Sequence, residues 1–310
     1  MNAPRILLTG SSGQVGHALT SVLQHAQLIT PGRAELDLAN AQAIADYVDK
    51  VRPDLIINPA AYTAVDRAES EPHLAEAING VAPAMLAEAA ERLGIPLIHF
   101  STDYVFDGLH ETCYAETQPT SPVNVYGRSK RNGELAALER CEAVWILRTS
   151  WVYGAHGKNF LNTILRLAQE RDSMQIVDDQ WGSPTWSRTI ASVVATMLGS
   201  ADQRATLTER IRHTRGIYHL TATGHTNWHQ YACRVVEAMS SLGLHARLPV
   251  QAIAAIATEQ YPTPARRPRN SRLCTDKISQ TFGIELPPWD RALAQCLQEI
   301  QNERSSTRNT

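Results

Sequence analysis

Short apolar runs of strand length alternate with helix-like segments through the first half of this 310-residue chain. The runs lie at residues 6–8, 28–30, 55–58, 97–100 and 144–148. Strands separated by helical segments are typical of right-handed crossovers in a parallel sheet that helices cover on both faces. The pattern therefore predicts an α/β fold with a Rossmann-like, doubly wound parallel sheet. In such sheets, ligands bind beyond the carboxyl ends of the strands.

A glycine-rich turn follows the first apolar run and indicates what this edge of the sheet binds. Glycines occur at Gly10, Gly13 and Gly16, and a helix-like segment begins at residue 18. Between a strand and a helix, such spacing permits a tight turn, a close approach of backbone to pyrophosphate, and anion binding at the helix N-terminus. An ordinary turn is the alternative, but the position after the first strand favours a dinucleotide.

The end of the second apolar run bears on which dinucleotide is bound. Cofactors without a 2′-phosphate usually meet a carboxylate here, which holds their ribose hydroxyls. This chain has Gly32 followed by Arg33, and an arginine pairs well with a phosphate. We therefore expect NADPH, with NADH possible if Arg33 is only a solvated loop charge.

The candidate chemistry lies in residues 101–130. Tyr126 and Lys130 are four residues apart, so a helix that begins here would place them one turn apart on one face. An ammonium beside a phenol stabilises the phenolate, so we expect the pKa of Tyr126 to fall below its ordinary value of about 10. Such a tyrosine exchanges a proton near neutral pH. A Tyr–Lys pair at this spacing also occurs by chance, and the glycine-rich turn is what favours the catalytic interpretation.

Three segments are expected to meet at the carboxyl edge of the predicted sheet. They are residues 10–16, 61–63 and 102–104, and each follows an apolar run. The carboxyl ends of parallel strands share one edge of a sheet. The sequence therefore predicts one site that combines a dinucleotide with the residues around Tyr126.

Beyond residue 154 the alternation becomes less regular, which predicts a smaller, mixed α/β region that binds the substrate. We expect helices near 159–170, 187–198 and 227–242, with short strands at 175–177 and 216–220. The predicted division is an NADP(H)-binding Rossmann domain at 1–154, which carries the catalytic residues, and a mainly substrate-binding region at 155–304. Some segments of the second region are expected to return to the first, and 305–310 to form a disordered tail.

Four arginines crowd into seven residues near the end of the chain, at Arg266, Arg267, Arg269 and Arg272. The cluster is short, is interrupted by proline, and lies in a protein with a formal net charge of −2, which disfavours a nucleic-acid surface. Arginine forks suit a pyrophosphate. Beside a dinucleotide motif, the cluster therefore favours a nucleotide-linked substrate, with a solvated basic loop as the alternative.

Composition indicates the class of protein and its expected location. A hydrophobic content of 43% and a charged content of 19% are typical of a globular protein. No apolar run approaches the ~20 residues of a membrane span, and the start of the chain resembles a strand rather than a signal peptide. Cys113, Cys141, Cys233, Cys274 and Cys296 are scattered. We therefore expect reduced thiols, no cysteine-based metal site and a cytoplasmic location.

Four further runs carry a resemblance to a known family, at residues 101–106, 124–127, 148–153 and 261–268. With the glycine-rich turn and the Tyr–Lys pair, they resemble the extended short-chain dehydrogenase/reductases and, more narrowly, the dTDP-4-dehydrorhamnose reductase family. The resemblance covers nearly the whole chain. It implies reduction of dTDP-4-dehydro-6-deoxy-L-mannose (dTDP-4-dehydrorhamnose) by NADPH to dTDP-L-rhamnose, the last step of dTDP-rhamnose biosynthesis for cell-surface polysaccharide.

The resemblance also implies roles for particular residues. Tyr126 would protonate the developing alkoxide, Lys130 would hold the nicotinamide ribose, and Thr102 would bind the reacting oxygen. The motifs and the resemblance together predict as cofactor-binding residues Gly10, Gly13, Gln14, Val15, Gly16, Arg33, Asp37, Leu38, Ala61, Tyr62, Thr63, Tyr126 and Lys130. The predicted substrate-binding residues are Thr102, Asp103, Tyr104, Trp151, Arg266 and Arg267.

The chain departs from the family pattern where some members hold magnesium. Those members form a dimer bridged by the metal through two acidic side chains, one on the first helix and one just after a Gly-x-Pro-Thr run. Ala18 and Arg188 occupy these points here, and neither side chain ligates a hard cation. We therefore predict no metal, and a monomer or homodimer that binds neither nucleic acid nor membrane.

Two other functions stay open from the sequence. One is a different nucleotide-sugar reductase or epimerase of the same superfamily. The sequence runs at 148–153 and 261–268 disfavour this alternative. The other is a non-catalytic NADP-binding regulatory subunit, which the retained Tyr126, Lys130 and Thr102 disfavour. The sequence does not distinguish a dTDP from a UDP substrate.

Overall fold

Strands and helices alternate through residues 3–199 and 204–308, the part of the chain that this computed structural model describes. The strands are β1 (Arg5–Leu8), β2 (Gln27–Ile29), β3 (Leu55–Asn58), β4 (Leu97–Thr102), β5 (Val144–Thr149), β6 (Val152–Tyr153), β7 (Met174–Val177), β8 (Trp181–Gly182), β9 (Thr185–Trp186), β10 (Gly216–His219), β11 (Thr226–Asn227) and β12 (Ile253–Ile256). The helices are α1 (Gln14–Val22), α2 (Ala41–Val51), α3 (Val65–Ala68), α4 (Pro72–Glu76), α5 (Ala82–Leu93), α6 (Val125–Arg140), α7 (Phe160–Glu170), α8 (Ser187–Leu198), α9 (Arg204–His213), α10 (Trp228–Ser241), α11 (Asp276–Phe282) and α12 (Trp289–Arg308). A π-helical turn, Ala77–Val81, joins α4 to α5, and 3₁₀ turns lie at Asp103–Val105, Val250–Ala252 and Thr258–Gln260.

Six of the described strands form one parallel sheet in the order β10-β5-β4-β3-β1-β2. Strands β2 and β3 lie on opposite sides of β1, so the connections after β1 and after β2 run in opposite directions across the sheet. The connecting helices therefore cover both faces. All residues of β3, β4 and β5 are buried, as expected for strands covered on two sides. The predicted Rossmann-like α/β fold is confirmed.

Two apolar layers hold the helices against this sheet. Because successive side chains of a strand point to opposite faces, Ile6 and Leu8 pack with α1, α8, α9 and α11, while Leu7 packs with α2, α5 and α6. The fully buried Trp145 belongs to the first layer and Ile146 to the second. This sandwich keeps the carboxyl ends of the strands in a fixed arrangement, which positions the site.

A separate apolar core lies in the second part of the chain, between α7, α10, α12, β7 and β12. Strand β10 instead joins the central sheet beside β5, so the second part contributes a strand to the first. The boundary at residue 154 stays a prediction. Helix α12 packs Leu293, Leu297 and Ile300 into this core and is assigned as helix to Arg308, and the disordered tail at 305–310 stays a prediction. The last two residues of the predicted tail lie outside the described range.

The expectation of reduced thiols is wrong for two of the five cysteines. Cys113 and Cys274 form a disulfide across a sequence separation of 161. They meet because their neighbours pair as short parallel strands: Tyr114 N–H donates to the Arg272 carbonyl and Cys274 N–H to the Tyr114 carbonyl, each at 2.8 Å. Cys141, Cys233 and Cys296 are free thiols.

Candidate active site

A cavity of about 730 Å³ lies at the carboxyl edge of the central sheet. It is bordered by the turn after β1, the segment after β3, the end of β4 and the start of α6. The predicted site residues that line it are Gly10, Gly13, Gln14, Val15, Gly16, Ala61, Thr63, Thr102, Asp103, Tyr104, Tyr126, Lys130 and Trp151. The structure thus brings together the three segments that were expected to meet. The predicted site residues that lie outside the lining are Arg33, Asp37, Leu38, Tyr62, Arg266 and Arg267.

The turn between β1 and α1 brings the helix N-terminus close to the strand. Gly10 has a φ of +57°, and its carbonyl accepts the Gly13 N–H at 2.9 Å. A Cβ at Gly16 would lie 2.1 Å from that same carbonyl oxygen, so a side chain there would push the helix away. Because α1 begins at Gln14 without a side-chain cap, its first N–H groups are left for an anion.

The first turn of α6 carries the tyrosine and lysine predicted to be catalytic. The Oδ1 atom of Asn124 caps this helix and accepts the Gly127 N–H at 2.8 Å. The Nδ2 atom of Asn124 donates to the Arg266 carbonyl at 2.8 Å. One capping residue therefore fixes the start of the catalytic helix and links it to the arginine segment.

The end of β4 holds the predicted catalytic side chains together. The Tyr126 hydroxyl shares a hydrogen bond with the Thr102 side chain, and the Thr102 hydroxyl donates to Asp103 Oδ1 at 3.0 Å. The buried Lys130 extends beneath them, and its Nζ donates to the Phe100 carbonyl at 2.6 Å. A phenol, a hydroxyl and an ammonium thus converge on one edge of the cavity.

The electrostatics of this group differ from the expectation. Desolvation raises the pKa of Tyr126 above its ordinary value, and the hydrogen bond with Thr102 offsets this only in part. The predicted lowering is wrong, because burial dominates and the Lys130 ammonium is directed at a backbone carbonyl. Desolvation also lowers the pKa of Lys130 to about 8, against the opposing effect of Glu134. At neutral pH the phenol therefore keeps the proton that it could give to an oxyanion.

A buried ion pair lies behind Lys130. Glu134, one turn further along α6, accepts hydrogen bonds from Arg148 Nε at 2.8 Å and Nη2 at 2.7 Å. The side chains are 3% exposed for Arg148 and 1% exposed for Glu134. Loss of either partner would leave an uncompensated charge in the core. The run 148–153 therefore begins with an arginine that holds α6 to β5.

Asn79, which the sequence analysis missed, fixes the segment after β3. Its Oδ1 accepts the Tyr62 N–H at 2.8 Å, while its Nδ2 lies 3.0 Å from both the Tyr62 carbonyl and Ser129 Oγ. Asn79 is fully buried in the π-helical turn, a type of helix irregularity that is frequent at functional sites. It ties the segment that contains Ala61 and Thr63 to the catalytic helix.

Several predicted cofactor residues lie at the margin of the site. The Arg33 side chain is 74% exposed, with its Nε 3.9 Å from Asp37 Oδ1, and Leu38 packs against the apolar layer under β1. Tyr62 turns its ring outward, where its hydroxyl donates to Glu71 at 2.6 Å. Their cofactor roles stay predictions.

The arginine segment contacts the edge of the site through Arg267, which bonds to the cavity-lining Tyr104. Its Nη2 lies 2.8 Å from Asp66 Oδ2, and its Nη1 donates to the Tyr104 hydroxyl at 3.3 Å. Arg266 is exposed to solvent. Two of the six predicted substrate residues, Arg267 and Tyr104, are thus in direct contact, and Arg266 lies next to this pair.

Trp151 lines the cavity in a backbone conformation that side chains rarely adopt, with a φ of +48°. Its ring stacks on Trp228 with a centroid distance of 3.5 Å. Trp228 also lines the cavity and was not predicted, because an aromatic residue at the start of an amphipathic helix is usually a core residue. The stacked pair forms a flat apolar surface in the lining of the cavity.

The position where the family resemblance would place magnesium has different chemistry here. The ligand atoms of His156, Glu299 and Glu303 lie within 4.8 Å of one another. However, Arg188 places its Nη1 3.0 Å from Glu299 Oε2, and Ala18 offers no ligand atom. A guanidinium repels a cation from this carboxylate. These residues do not fit a magnesium bridge.

A doubly wound sheet with this glycine-rich turn and with a Tyr-x-x-x-Lys helix start defines an extended short-chain dehydrogenase/reductase. Residues 4–302 match the family model for the RmlD substrate binding domain. The chain is 45% identical over 302 residues to a dTDP-4-dehydrorhamnose reductase of Burkholderia thailandensis, covering 96% of this chain and 100% of that one. The chain belongs to the dTDP-4-dehydrorhamnose reductase family, as the resemblance predicted.

Other relatives agree with this assignment. An Escherichia coli K12 enzyme of the same name is 41% identical over 300 residues, which cover 95% of this chain and 97% of that one. The crystal structure of a Bacillus anthracis dTDP-4-dehydrorhamnose reductase in complex with NADP superposes with a TM-score of 0.84 at 31% identity. That match covers 96% of this chain and 99% of the other. The similarity therefore extends over both parts of the fold.

Proposed function

We propose that the protein reduces the 4-keto group of dTDP-4-dehydrorhamnose with NADPH and releases dTDP-L-rhamnose. The observation that carries the proposal is the convergence of Tyr126, Thr102 and Lys130 with the glycine-rich turn around one cavity. A glycine-rich turn that can hold a phosphate and a proton donor around one cavity suit a dinucleotide that reacts with a second molecule. Family membership identifies the second molecule as a nucleotide sugar.

The chain's own residues supply the proton and stabilise the developing charge. When bound, NADPH supplies the hydride, and negative charge then builds on the ketone oxygen. Tyr126 is protonated at neutral pH and donates its proton to that oxygen, while the hydroxyl of Thr102 lies within the same hydrogen-bonded group. Donors fixed in place before the reaction stabilise such a transition state without reorganisation.

Lys130 holds the cofactor end of the site. Its ammonium already donates to the Phe100 carbonyl at 2.6 Å, and an ammonium has three donors. The remaining donors are available to the hydroxyls of the nicotinamide ribose. Gly13, Gln14 and Val15 at the start of α1 would face the pyrophosphate, and Ala61 and Thr63 would border the nicotinamide half.

The sugar nucleotide would occupy the side of the cavity that Asp103, Tyr104 and Trp151 line. Desolvation raises the pKa of Asp103, offset by hydrogen bonds from Ser271 and Thr102. The diphosphate would be met by Arg267, which bonds to Asp66 and Tyr104, and by the exposed Arg266.

We also propose that the protein is a cytoplasmic monomer or homodimer without nucleic-acid or membrane partners. Among the described helices, none is long and apolar enough to cross a membrane.

The test is turnover by the Tyr126→Phe variant. Purified protein is given NADPH and the dTDP keto sugar, and NADPH consumption is followed by absorbance. We expect kcat to fall by about 10²- to 10⁴-fold, which is the usual contribution of a positioned acid, with the Kd for NADPH nearly unchanged. Tyr47→Phe is the matched control, because Tyr47 lies on α2, outside the cavity lining, and has no predicted role in the site. Unchanged turnover in Tyr126→Phe contradicts the assigned role.

A non-catalytic NADP-binding subunit is the second candidate. It predicts that the wild type binds NADPH but consumes none with any dTDP or UDP keto sugar. A different superfamily enzyme would instead turn over another sugar of that panel. The same assay with NADH in place of NADPH measures the preference for the 2′-phosphate.

A further inference from the structure

The turn that would face the cofactor's pyrophosphate carries no cation of its own. Residues 9–16 contain neither lysine nor arginine. The N-terminus of a helix such as α1 offers only about half an elementary charge, which is less than a pyrophosphate carries. A cation from another element would therefore add to the attraction for the anion.

Two lysines, Lys130 and Lys158, are the cations among the described residues that line the cavity, and Asp103 is the acid. Lys130 is directed at the Phe100 carbonyl beneath Tyr126. Lys158 comes instead from the loop between β6 and α7, and it lines the cavity together with Gly157 and Asn159. The second part of the chain thus contributes a positive charge to a cavity otherwise bordered largely by the first.

The loop that carries Lys158 is fixed against the first residue of α1. Gln14 Nε2 donates to the Lys158 carbonyl, and Asn159 Nδ2 donates to Gln14 Oε1, each at 3.3 Å. Asn159 also donates to the Gly154 carbonyl at 2.9 Å, and Asn162 to the Gly157 carbonyl at 3.0 Å. These bonds keep the Lys158 backbone beside the helix N-terminus, and its side chain is exposed to solvent.

We propose that Lys158 binds the pyrophosphate of the dinucleotide together with the glycine-rich turn beside which it is held. The inference rests on the proposed use of NADPH and adds a residue that no motif contains. NADPH and NADH share the pyrophosphate, so the contact contributes equally to the binding of both. It also makes cofactor binding sensitive to salt, because an exposed charge pair is screened.

The experiment measures the Kd of NADPH and of NADH for the full chain without keto sugar, from the fluorescence of the bound nicotinamide. Lys158→Gln is compared with Lys158→Arg, which keeps the charge, and with Lys50→Gln, which removes a charge from the last turn of α2. We expect Lys158→Gln to raise both Kd values by about fivefold, the upper end for an exposed pair. Lys158→Arg should stay within about twofold of wild type, and Lys50→Gln should match wild type.

The outcomes separate this inference from the proposed function. Equal losses for both dinucleotides, together with a weaker salt dependence in Lys158→Gln, support the pyrophosphate contact. A loss confined to NADPH overturns it, because that result places Lys158 on the 2′-phosphate, and so does wild-type binding by Lys158→Gln. If the wild type binds neither dinucleotide, the proposed function fails instead.

Discussion

The two sides of the cavity are built in different ways. On the cofactor side, the turn after β1 and the segment after β3 each directly follow a buried strand, so the sheet fixes their positions. Beside the substrate side, but outside the cavity lining, the loop at residues 106–116 and the segment 266–274 meet across the Cys113–Cys274 bond. Asn270 Nδ2 donates to the His110 and Thr112 carbonyls, each at 2.6 Å, and Arg267 donates to the Tyr104 hydroxyl. The cofactor side depends on the core of the sheet, and the substrate side depends in addition on contacts between distant loops.

This difference predicts which variants separate folding from substrate binding. A substitution beneath the cofactor side should lower the free energy of unfolding of the protein and weaken cofactor binding. Damage to the loop contacts should change substrate binding while cofactor binding stays near normal. Three substitutions test the comparison, and the first has the largest expected effect.

Glu134→Gln should cost about 3–5 kcal/mol in the free energy of unfolding, because it leaves Arg148 charged and buried without its partner. Both hydrogen bonds of the pair, at 2.8 and 2.7 Å, would be lost or weakened. Chemical denaturation measures the change. Glu88→Gln is the control, because its ion pair with Arg140 is exposed and should contribute at most about 1 kcal/mol.

The same substitution should also change the pH dependence of catalysis. Glu134 raises the pKa of Lys130, which desolvation holds at about 8, and Lys130 carries its charge below that pH. Replacement of the carboxylate should lower this pKa, so the alkaline limb of kcat/KM should move to lower pH. A limb that stays in place would show that Lys130 is not the group that titrates.

The cofactor side could be predicted from the sequence, whereas much of the substrate side could not. Gly10, Tyr126 and Lys130 follow or begin regular elements, so their spacing alone indicated where they would meet. The pairing of Cys113 with Cys274 depends on the path of two irregular loops, which carry no periodic pattern. Asn79 was missed for a related reason: its role depends on a π-helical turn, and the sequence shows there only a glycine and a proline in a helical segment.

Replacement of Cys113 and Cys274 by serine tests the substrate side. Removal of a cross-link over 161 residues of sequence separation should lower the free energy of unfolding by about 2–4 kcal/mol, mainly by freeing the unfolded chain. The KM for the keto sugar should rise severalfold, because the loops that carry Arg266 and Arg267 lose their link, while the Kd for NADPH stays the same.

Cys233→Ser is the matched control, since this thiol is free and lies in the second core. It should change neither KM nor Kd. If the double serine variant weakens NADPH binding as much as sugar binding, the two sides of the cavity are not independent, and the comparison fails.

Arg33→Gln carries the smallest expected effect and tests the outer edge of the cofactor side. Arg33 is 74% exposed, and its guanidinium Nε lies 3.9 Å from Asp37 Oδ1, so the guanidinium is only loosely held. We expect the Kd for NADPH to rise by about threefold to fivefold, as for an exposed charge pair, with the Kd for NADH unchanged. Arg33→Lys should weaken NADPH binding less, because lysine keeps the positive charge but lacks the guanidinium that can bind a phosphate through two nitrogens. An equal loss for both dinucleotides would place Arg33 on a part of the cofactor that they share and leave the preference for the 2′-phosphate to another residue.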